Sequence, residues 1–240
     1  MVKTTFADLY ITPAQKAELI ARTADNPQVE VCGVITDKGI TWLDNLSASP
    51  DNEAIALFDP AESGNIAFFH SHPYGPAVCS SEDVRQSILH GIPYVMLSLK
   101  PFGWDIFNPH TISEGFEGLP YVYGIYDCYS LVQRYLKTKF AVELPDYPRH
   151  YEGEWDEAGW NIFAQEFHKY GQEVPRSQVK DGDVIMFSCL GLGKIDHIGV
   201  VTEPPRFLHH PIGRLSDKAI YGRYWENMTA TIVRPTALIA

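Results

Sequence analysis

The 240-residue sequence predicts an α+β protein built from two domains. Up to residue 108, short β-branched and aromatic runs alternate with helical patterns, which favours a compact α/β or α+β domain. A polar, turn-rich segment without periodicity follows at 109–120, and beyond it a helix precedes several short strands. The predicted organisation is therefore a first domain at 1–108, a linker at 109–120, and a second domain at 121–240 in which a helix packs on an antiparallel sheet.

Local patterns predict the elements of the first domain. Thr12 is a suitable N-cap for a helix that begins at Pro13 and ends near Asp25. Five runs are typical of strands, the first two joined as a hairpin at Gly39: "VEVCGVIT", "ITWLDNL", "NIAFFHSH", "PYVMLSL" and "WDIFN". Between the third and fourth of these runs, "SSEDVRQSILHG" predicts a helix that ends at Gly91.

The second domain shows two helical patterns followed by strands. The first helix is "CYSLVQRYLKTKF", and the second is "GWNIFAQEFHKYG", where aromatic residues recur at a helical spacing on one face. Three short runs then predict an antiparallel meander: "DVIMFS", "HIGVVT" and "RFLHH".

Composition excludes several classes of partner. The formal charge is −11 and there is no basic run, so binding to nucleic acid or to anionic lipid is not expected. No apolar run approaches the roughly 20 residues of a membrane span, and the N-terminal residues lack the apolar core of a signal peptide. The four cysteines are widely spaced without a C-x-x-C pair, so we expect a chain folded in a cytoplasm and not a disulfide scaffold.

The stretch "FFHSHPYGPAVCSSED" contains the first candidate site. His70 and His72 lie two residues apart on a predicted strand, so their side chains point to the same face. Asp83 would lie in the first turn of the next helix, where it could join the two imidazoles as a ligand of a catalytic zinc ion with an open fourth position. The residues from Ser80 to Asp83 also form a helix-capping pattern, and spacing alone leaves both interpretations open.

The same stretch resembles the JAMM (MPN-type) metallopeptidase signature H-x-H-P-x(6)-S-x-x-D, and the upstream "EVCGVI" resembles the segment that supplies the catalytic glutamate of that family. The resemblance implies an α/β/α domain around a mixed sheet, in which His70, His72 and Asp83 bind Zn²⁺. It implies that Glu30 takes a proton from the attacking water and passes it to the leaving amine. It also implies that Ser80 helps to hold the tetrahedral oxyanion.

A second candidate site lies in the second domain. Cys128 opens a predicted helix, where the positive end of the helix dipole favours its thiolate form. A cysteine nucleophile needs a base, and the base needs an orienting partner. His197 begins one predicted strand and His209 ends the next, so paired strands could place the two imidazoles side by side.

These residues also resemble a known pattern. "DCYSLV" is similar to the nucleophile helix of NlpC-type cysteine peptidases, and "GDV…DHIGVV…FLHH" is similar to their core strands. The resemblance implies a papain-like fold with Cys128 as nucleophile, His197 as base and His209 as the orienting residue. His210 competes for the third role, although the spacing of twelve residues favours His209.

The segment before the nucleophile departs from the NlpC pattern. "YVYGIYDC" is shorter than the usual Y-x-x-G-G loop, so both Tyr121 and Tyr123 remain candidates for the substrate-facing tyrosine.

The order of the two domains resembles the tail tip assembly protein K family of lambda-like phages. That resemblance implies other tail tip proteins as partners and peptidoglycan stem peptides as the substrate of the cysteine site. It also implies a location in the host cytoplasm during assembly and at the tail tip of the virion. The zinc site would hydrolyse an amide or isopeptide bond, in a tail protein or in the cell wall.

Two alternatives stay open. The protein could be a tail-tip assembly factor that binds partners while one or both sites are idle. A cellular hydrolase of cell-wall recycling is the other alternative, although a secretion signal would suit it better.

Overall fold

The computed structural model describes residues 4–146, 169–191 and 195–239. It contains two sheets and several helices, so the predicted α+β class is confirmed. The helix predicted from "GWNIFAQEFHKYG" lies outside the described residues except for its last three positions. None of the helices in the described ranges has both the length and the apolar character that crossing a bilayer requires.

The chain divides into two compact units, Met1–Ile112 and Ser113–Ala240. The division falls inside the segment 109–120 that the sequence predicts as a linker. Leu119 in this segment is buried, and its backbone N–H donates to Ser216 Oγ at 2.9 Å. The Ser216 N–H donates in turn to the Leu119 carbonyl at 3.0 Å, so the end of the predicted linker packs within the second unit.

A five-stranded mixed sheet forms the centre of the first unit. Its strand order is β2-β1-β3-β4-β5, and only β3 and β4 run parallel. The chain passes from β3 to β4 through the second helix, as a parallel connection requires. The elements of this unit are α1 (Pro13–Asp25), β1 (Cys32–Thr36), β2 (Gly39–Leu43), β3 (Asn65–His72), α2 (Ser81–His90), β4 (Tyr94–Leu99) and β5 (Phe102–Phe107).

Both faces of this sheet are covered, and the alternation along β3 shows how. Ala67 and Phe69 pack in a cluster with Leu19 of α1, whereas Phe68 packs in a second cluster on the opposite face. Because side chains alternate along a strand, His70 faces the same side as Phe68. The α2 helix contacts β4 on that side, and its first turn reaches His70. The two histidines therefore lie at the end of a buried strand, next to the start of α2.

A six-stranded antiparallel sheet forms the centre of the second unit, in the order β10-β9-β8-β7-β11-β6. The predicted meander corresponds to β7, β8 and β9, whereas the sequence did not indicate β6, β10, β11 or α4. The elements are α3 (Cys128–Phe140), β6 (Gly171–Glu173), β7 (Val184–Phe187), β8 (His197–Val201), β9 (Arg206–His209), β10 (Asp217–Ile220), α4 (Arg223–Met228) and β11 (Thr229–Pro235).

Helix α3 packs against β8 and β9. Its buried side chains include Leu131, Val132 and Leu136, whose spacing places them on one face of the helix. The first residue of the helix is Cys128, so this packing fixes the cysteine relative to the strands that carry His197 and His209.

A buried ion pair ties β11 to the start of β7. Asp183 is wholly buried, and the Arg234 guanidinium donates to both of its carboxylate oxygens, from Nε at 2.8 Å and from Nη2 at 2.9 Å. This two-point contact fixes β11 against the start of β7.

Candidate functional site

The structure brings the three predicted metal ligands of the first unit together. His70 and His72 extend from the same face of β3, and Asp83 lies in the first turn of α2. The two Nε2 atoms are 3.0 Å apart, and Asp83 Oδ1 lies 3.5 Å from His70 Nε2. One ligand atom from each residue falls within 4.8 Å of the other two. That zinc binds here stays a prediction.

The carboxylate of Asp83 serves two purposes through its two oxygens. Oδ2 accepts hydrogen bonds from the Ser80 N–H at 2.8 Å and from the Ser80 hydroxyl at 2.7 Å, while the Asp83 N–H donates to Ser80 Oγ. This is a capping box at the start of α2. Oδ1 is the oxygen turned towards His70, so helix capping and metal ligation do not exclude each other. The oxyanion role predicted for Ser80 requires its hydroxyl to turn from Asp83 to the substrate.

The donor atoms are suited to a metal cation. His72 Nδ1 lies 3.0 Å from the Pro76 carbonyl, which can only accept, so Nδ1 carries the proton and Nε2 presents its lone pair. Burial lowers the pKa of His70 to about 4, so this ring is neutral at pH 7. Two imidazole nitrogens and a carboxylate oxygen are three of the four ligands of a catalytic zinc site.

Glu30 lies beside this donor set. Cys32 of β1 pairs with His70, and the Val31 N–H donates to Ser71 Oγ while the Ser71 N–H donates to the Val31 carbonyl. The antiparallel register, continued by two residues, places Glu30 opposite His72.

The carboxyl group of Glu30 is buried near other carboxylates, so its charged form is disfavoured. Burial raises its pKa to about 8, and the negative charges of Asp83, Glu53 and Asp51 contribute to the same rise. A carboxyl group with a pKa near the working pH can both accept and donate a proton, which is the property that general acid–base catalysis requires.

In the second unit, Cys128 is the first residue of α3. The N-cap is Asp127, whose Oδ1 accepts from the Ser130 N–H at 2.8 Å and whose Oδ2 accepts from the Gly124 N–H at 3.0 Å. The second of these bonds fixes the loop before the helix, where Gly124 has a positive φ of 79°. Asp127 therefore holds both the helix start and the preceding loop around Cys128.

His197 and His209 form a hydrogen-bonded pair, with His197 Nε2 3.0 Å from His209 Nδ1. His209 pairs in register with Gly199, two residues after His197, so the two imidazoles share one face of the sheet. Burial lowers the pKa of His197 to about 3 and that of His209 to about 4. Both rings are therefore neutral at pH 7.

Cys128 and His197 line one cavity of about 300 Å³. Its other described walls are chiefly aromatic and aliphatic side chains, and both Tyr121 and Tyr123 belong to them. The structure thus leaves both tyrosines as candidates for the substrate-facing residue. The remaining wall residues are Asp127, Tyr129, Cys189, Leu190, Ile195, Asp196, Pro211, Ile212, Tyr224, Trp225 and Met228.

Two further residues complete the surroundings of the pair. His210 is fully buried, and its ring lies edge-on against that of Tyr121 with centroids 5.2 Å apart, whereas His209 is the residue bonded to His197. Trp225 of α4 contacts the His209 ring edge-on at 4.8 Å and lines the cavity. Sequence reasoning missed Trp225, because its six-residue helix carries no periodic signal.

The second unit is similar to a known family. Residues 118–234 match the model of the NlpC/P60 family. Over 230 residues the chain is 28% identical to tail tip assembly protein K of Escherichia phage N15, a match that covers 90% of this chain and 92% of that protein.

Two solved structures have some similarity to this chain. A protein of Staphylococcus aureus Mu50 described as similar to a lipoprotein of the NLP/P60 family is 27% identical over 50% of this chain, with a TM-score of 0.35. This chain spans only 37% of the length of that protein. An NlpC/P60 family protein of Bacillus cereus is 14% identical over 90% of this chain and 66% of its own, with a TM-score of 0.37. Residues 118–234 are thus similar to the NlpC/P60 family, and the chain is similar over 90% of its length to a phage tail tip assembly protein.

Proposed function

We propose that this protein is a phage tail tip assembly protein with two peptidase sites, and that its second unit cleaves the stem peptides of peptidoglycan. The observation that carries the proposal is the placement of Cys128 and His197 in one cavity, with His209 bonded to Nε2 of His197. The similarity of residues 118–234 to the NlpC/P60 family supports the same reaction class.

The chemistry follows from the arrangement of these groups. His197 is neutral at pH 7, and its Nε2 is engaged with His209, which leaves Nδ1 to take the thiol proton. The Cys128 sulfur then attacks the amide carbonyl, and the first N–H groups of α3 can stabilise the oxyanion. The proton on His197 passes to the leaving amine, and water hydrolyses the acyl-enzyme.

For the first unit we propose amide or isopeptide hydrolysis at the site of His70, His72 and Asp83. Zinc held by these residues would supply Lewis-acid polarisation of the amide carbonyl and activation of water. Glu30 would hold the proton released by that water and deliver it to the leaving amine, a role suited to its pKa of about 8. The substrate would be a tail protein or a cross-linked cell-wall peptide.

The similarity to tail tip assembly protein K supports other tail tip proteins as partners. We place the protein in the host cytoplasm during assembly and at the tail tip of the virion, where wall cleavage would aid delivery of the genome.

Digestion of purified peptidoglycan tests the proposal. Wild type, Cys128→Ala and Glu30→Gln are incubated in parallel, and newly exposed amino groups are counted. We expect the termini of cleaved stem peptides to be released by wild type and by Glu30→Gln, and not by Cys128→Ala. If wild type releases no peptide termini, or if Cys128→Ala releases as many, the wall-peptidase function is wrong and a partner-binding role without catalysis replaces it.

A further inference from the structure

The loop at 73–80 connects the two histidines of β3 to Asp83 of α2. It has no helix or strand of its own, and Gly75 within it has a positive φ of 80°. The separation of Asp83 from the histidines depends on the path of this loop. Side chains from three adjacent strands hold its backbone, and two of them lie outside the proposed ligand set.

The first of these contacts comes from β4. Ser98 is fully buried, pairs in register with His72, and donates its hydroxyl to the Gly75 carbonyl at 2.7 Å. His72 itself contacts the Pro76 carbonyl through Nδ1 at 3.0 Å. Neighbouring side chains on one face of the sheet therefore hold consecutive carbonyls at the start of the loop.

The second contact comes from β5. Asp105 pairs in register with Met96, which in turn pairs with His70, so Asp105 faces the same side of the sheet as the histidines. Its Oδ2 accepts the Cys79 N–H at 2.8 Å. Cys79 immediately precedes Ser80, the N-cap of α2, so this bond fixes the point at which the helix begins.

We propose that Ser98 and Asp105 are positioning residues for the metal site: they hold the loop at both ends so that Asp83 faces the two histidines before a metal ion arrives. The inference rests on the proposed zinc site. A loop of this kind gains conformational freedom when its anchors are removed, and the metal must then order it again on binding. Substitution of the residues that hold metal ligands in place usually lowers the affinity for the metal by about 10–100-fold.

The chain offers a matched control for Ser98. Ser87 is also fully buried and donates its hydroxyl to a backbone carbonyl, that of Ile92, at 2.6 Å, but this bond lies at the far end of α2 from Asp83. Ser87→Ala removes this one hydrogen bond, whereas Ser98→Ala removes the bond to the Gly75 carbonyl and also the bond that Ser98 Oγ accepts from the Lys100 N–H at 3.2 Å. We expect the metal-free proteins to lose about 4–8 °C in thermal midpoint in both cases.

Zinc affinity separates the two variants. It is measured on the full chain by competition with a chromophoric chelator, in a Cys128→Ala background so that this thiol does not bind zinc. We expect Ser98→Ala to weaken zinc binding at least tenfold and Ser87→Ala to change it less than twofold. Equal affinities in the two variants would show that Ser98 has only a structural role.

Asp105 is tested by a pair of substitutions. Asp105→Asn removes the charge and keeps an oxygen that can accept the Cys79 N–H, whereas Asp105→Ala removes both. We expect Asp105→Asn to bind zinc within about threefold of the parent and Asp105→Ala to bind at least tenfold more weakly. If Asn and Ala weaken binding equally, the charge of Asp105 acts and not its hold on the loop, and the positioning role is wrong.

The parent protein distinguishes this inference from the function on which it rests. If the parent binds no zinc, the proposed metal site itself fails. If the parent binds one equivalent and the Ser98 and Asp105 variants bind it as tightly, the metal site stands and the positioning inference fails.

Discussion

The two candidate sites differ in how their reactive groups are held. In the first unit, the ligand atoms of His70, His72 and Asp83 lie within 4.8 Å of one another, and hydrogen bonds to Pro76 and Ser80 hold His72 and Asp83 in place. In the second unit, Cys128 belongs to a helix and His197 to a sheet, and both residues line an apolar cavity of about 300 Å³. The three ligand atoms of the first site are close enough together to bind one metal ion, whereas the cavity of the second site has room for a peptide.

The two sites also differ in which of their groups has a shifted pKa. The first unit buries a carboxyl group, Glu30, near other carboxylates, and burial above all raises its pKa to about 8. The second unit buries two histidines among aromatic rings, so that their pKa values fall to about 3 and 4. One site therefore keeps a carboxylic acid able to hold a proton, and the other keeps an imidazole ready to accept one.

The largest expected effect is the loss of the nucleophile. Cys128→Ala removes the attacking sulfur, so we expect release of peptidoglycan peptides to fall by more than about 1000-fold. The zinc content should stay at the wild-type level, because the ligands lie in the other unit. Residual release within tenfold of wild type would contradict the assignment.

Glu30→Gln should have the next largest effect, confined to the first unit. The amide keeps the shape of the side chain and cannot take a proton, so we expect zinc-dependent amide hydrolysis to fall by about 10²–10⁴-fold. Zinc stoichiometry, measured by atomic emission, should not change. A variant that also loses its zinc would indicate that Glu30 is a ligand and not a proton carrier.

His209 is expected to matter less than Cys128, because it acts through His197. His209→Ala removes the partner of His197 Nε2, so we expect kcat to fall by about 100-fold with KM nearly unchanged. His209→Gln can restore a hydrogen bond and should recover part of the loss. His210→Ala serves as the comparison, and a larger loss there would reassign the third role.

The smallest expected effect is a dependence of stability on pH. In the unfolded chain His197 and His209 take up protons near their ordinary pKa of 6.5, but the folded unit resists protonation down to about pH 3 to 4. Their contribution to stability is therefore complete above pH 6.5 and is lost as the pH falls towards 4. We expect the urea midpoint of the second unit, followed by hydrogen exchange of its backbone amides, to be lower at pH 5 than at pH 7.

A matched variant sharpens the pH measurement. His209→Gln removes one titrating group, so the decrease between pH 7 and pH 5 should become smaller. An unchanged decrease would place its origin elsewhere in the unit.

Patterns within one element were sufficient for much of this fold. The bounds of β3 and α3 are those that "NIAFFHSH" and "CYSLVQRYLKTKF" indicate, because a buried strand and an amphipathic helix each have a local period. The His197 and His209 strands were predictable for the same reason. These elements carry five of the eight predicted site residues.

Contacts between distant segments were not predictable in this way. Trp225 lies against His209, and Asp105 holds the Cys79 N–H, yet nothing near either residue indicates such a partner. For Asp83, the sequence indicates that helix capping need not compete with metal binding, but only the structure shows that one carboxylate oxygen faces Ser80 while the other faces His70.

The most direct test of the account is to inactivate each site chemically in the full chain. Iodoacetamide alkylates the thiol, and 1,10-phenanthroline removes zinc. We predict that iodoacetamide stops the release of peptidoglycan peptides and leaves one equivalent of zinc bound, whereas 1,10-phenanthroline removes the zinc and leaves that release unchanged. Loss of peptidoglycan cleavage on chelation alone, in protein that remains folded, would contradict two sites with separate chemistry.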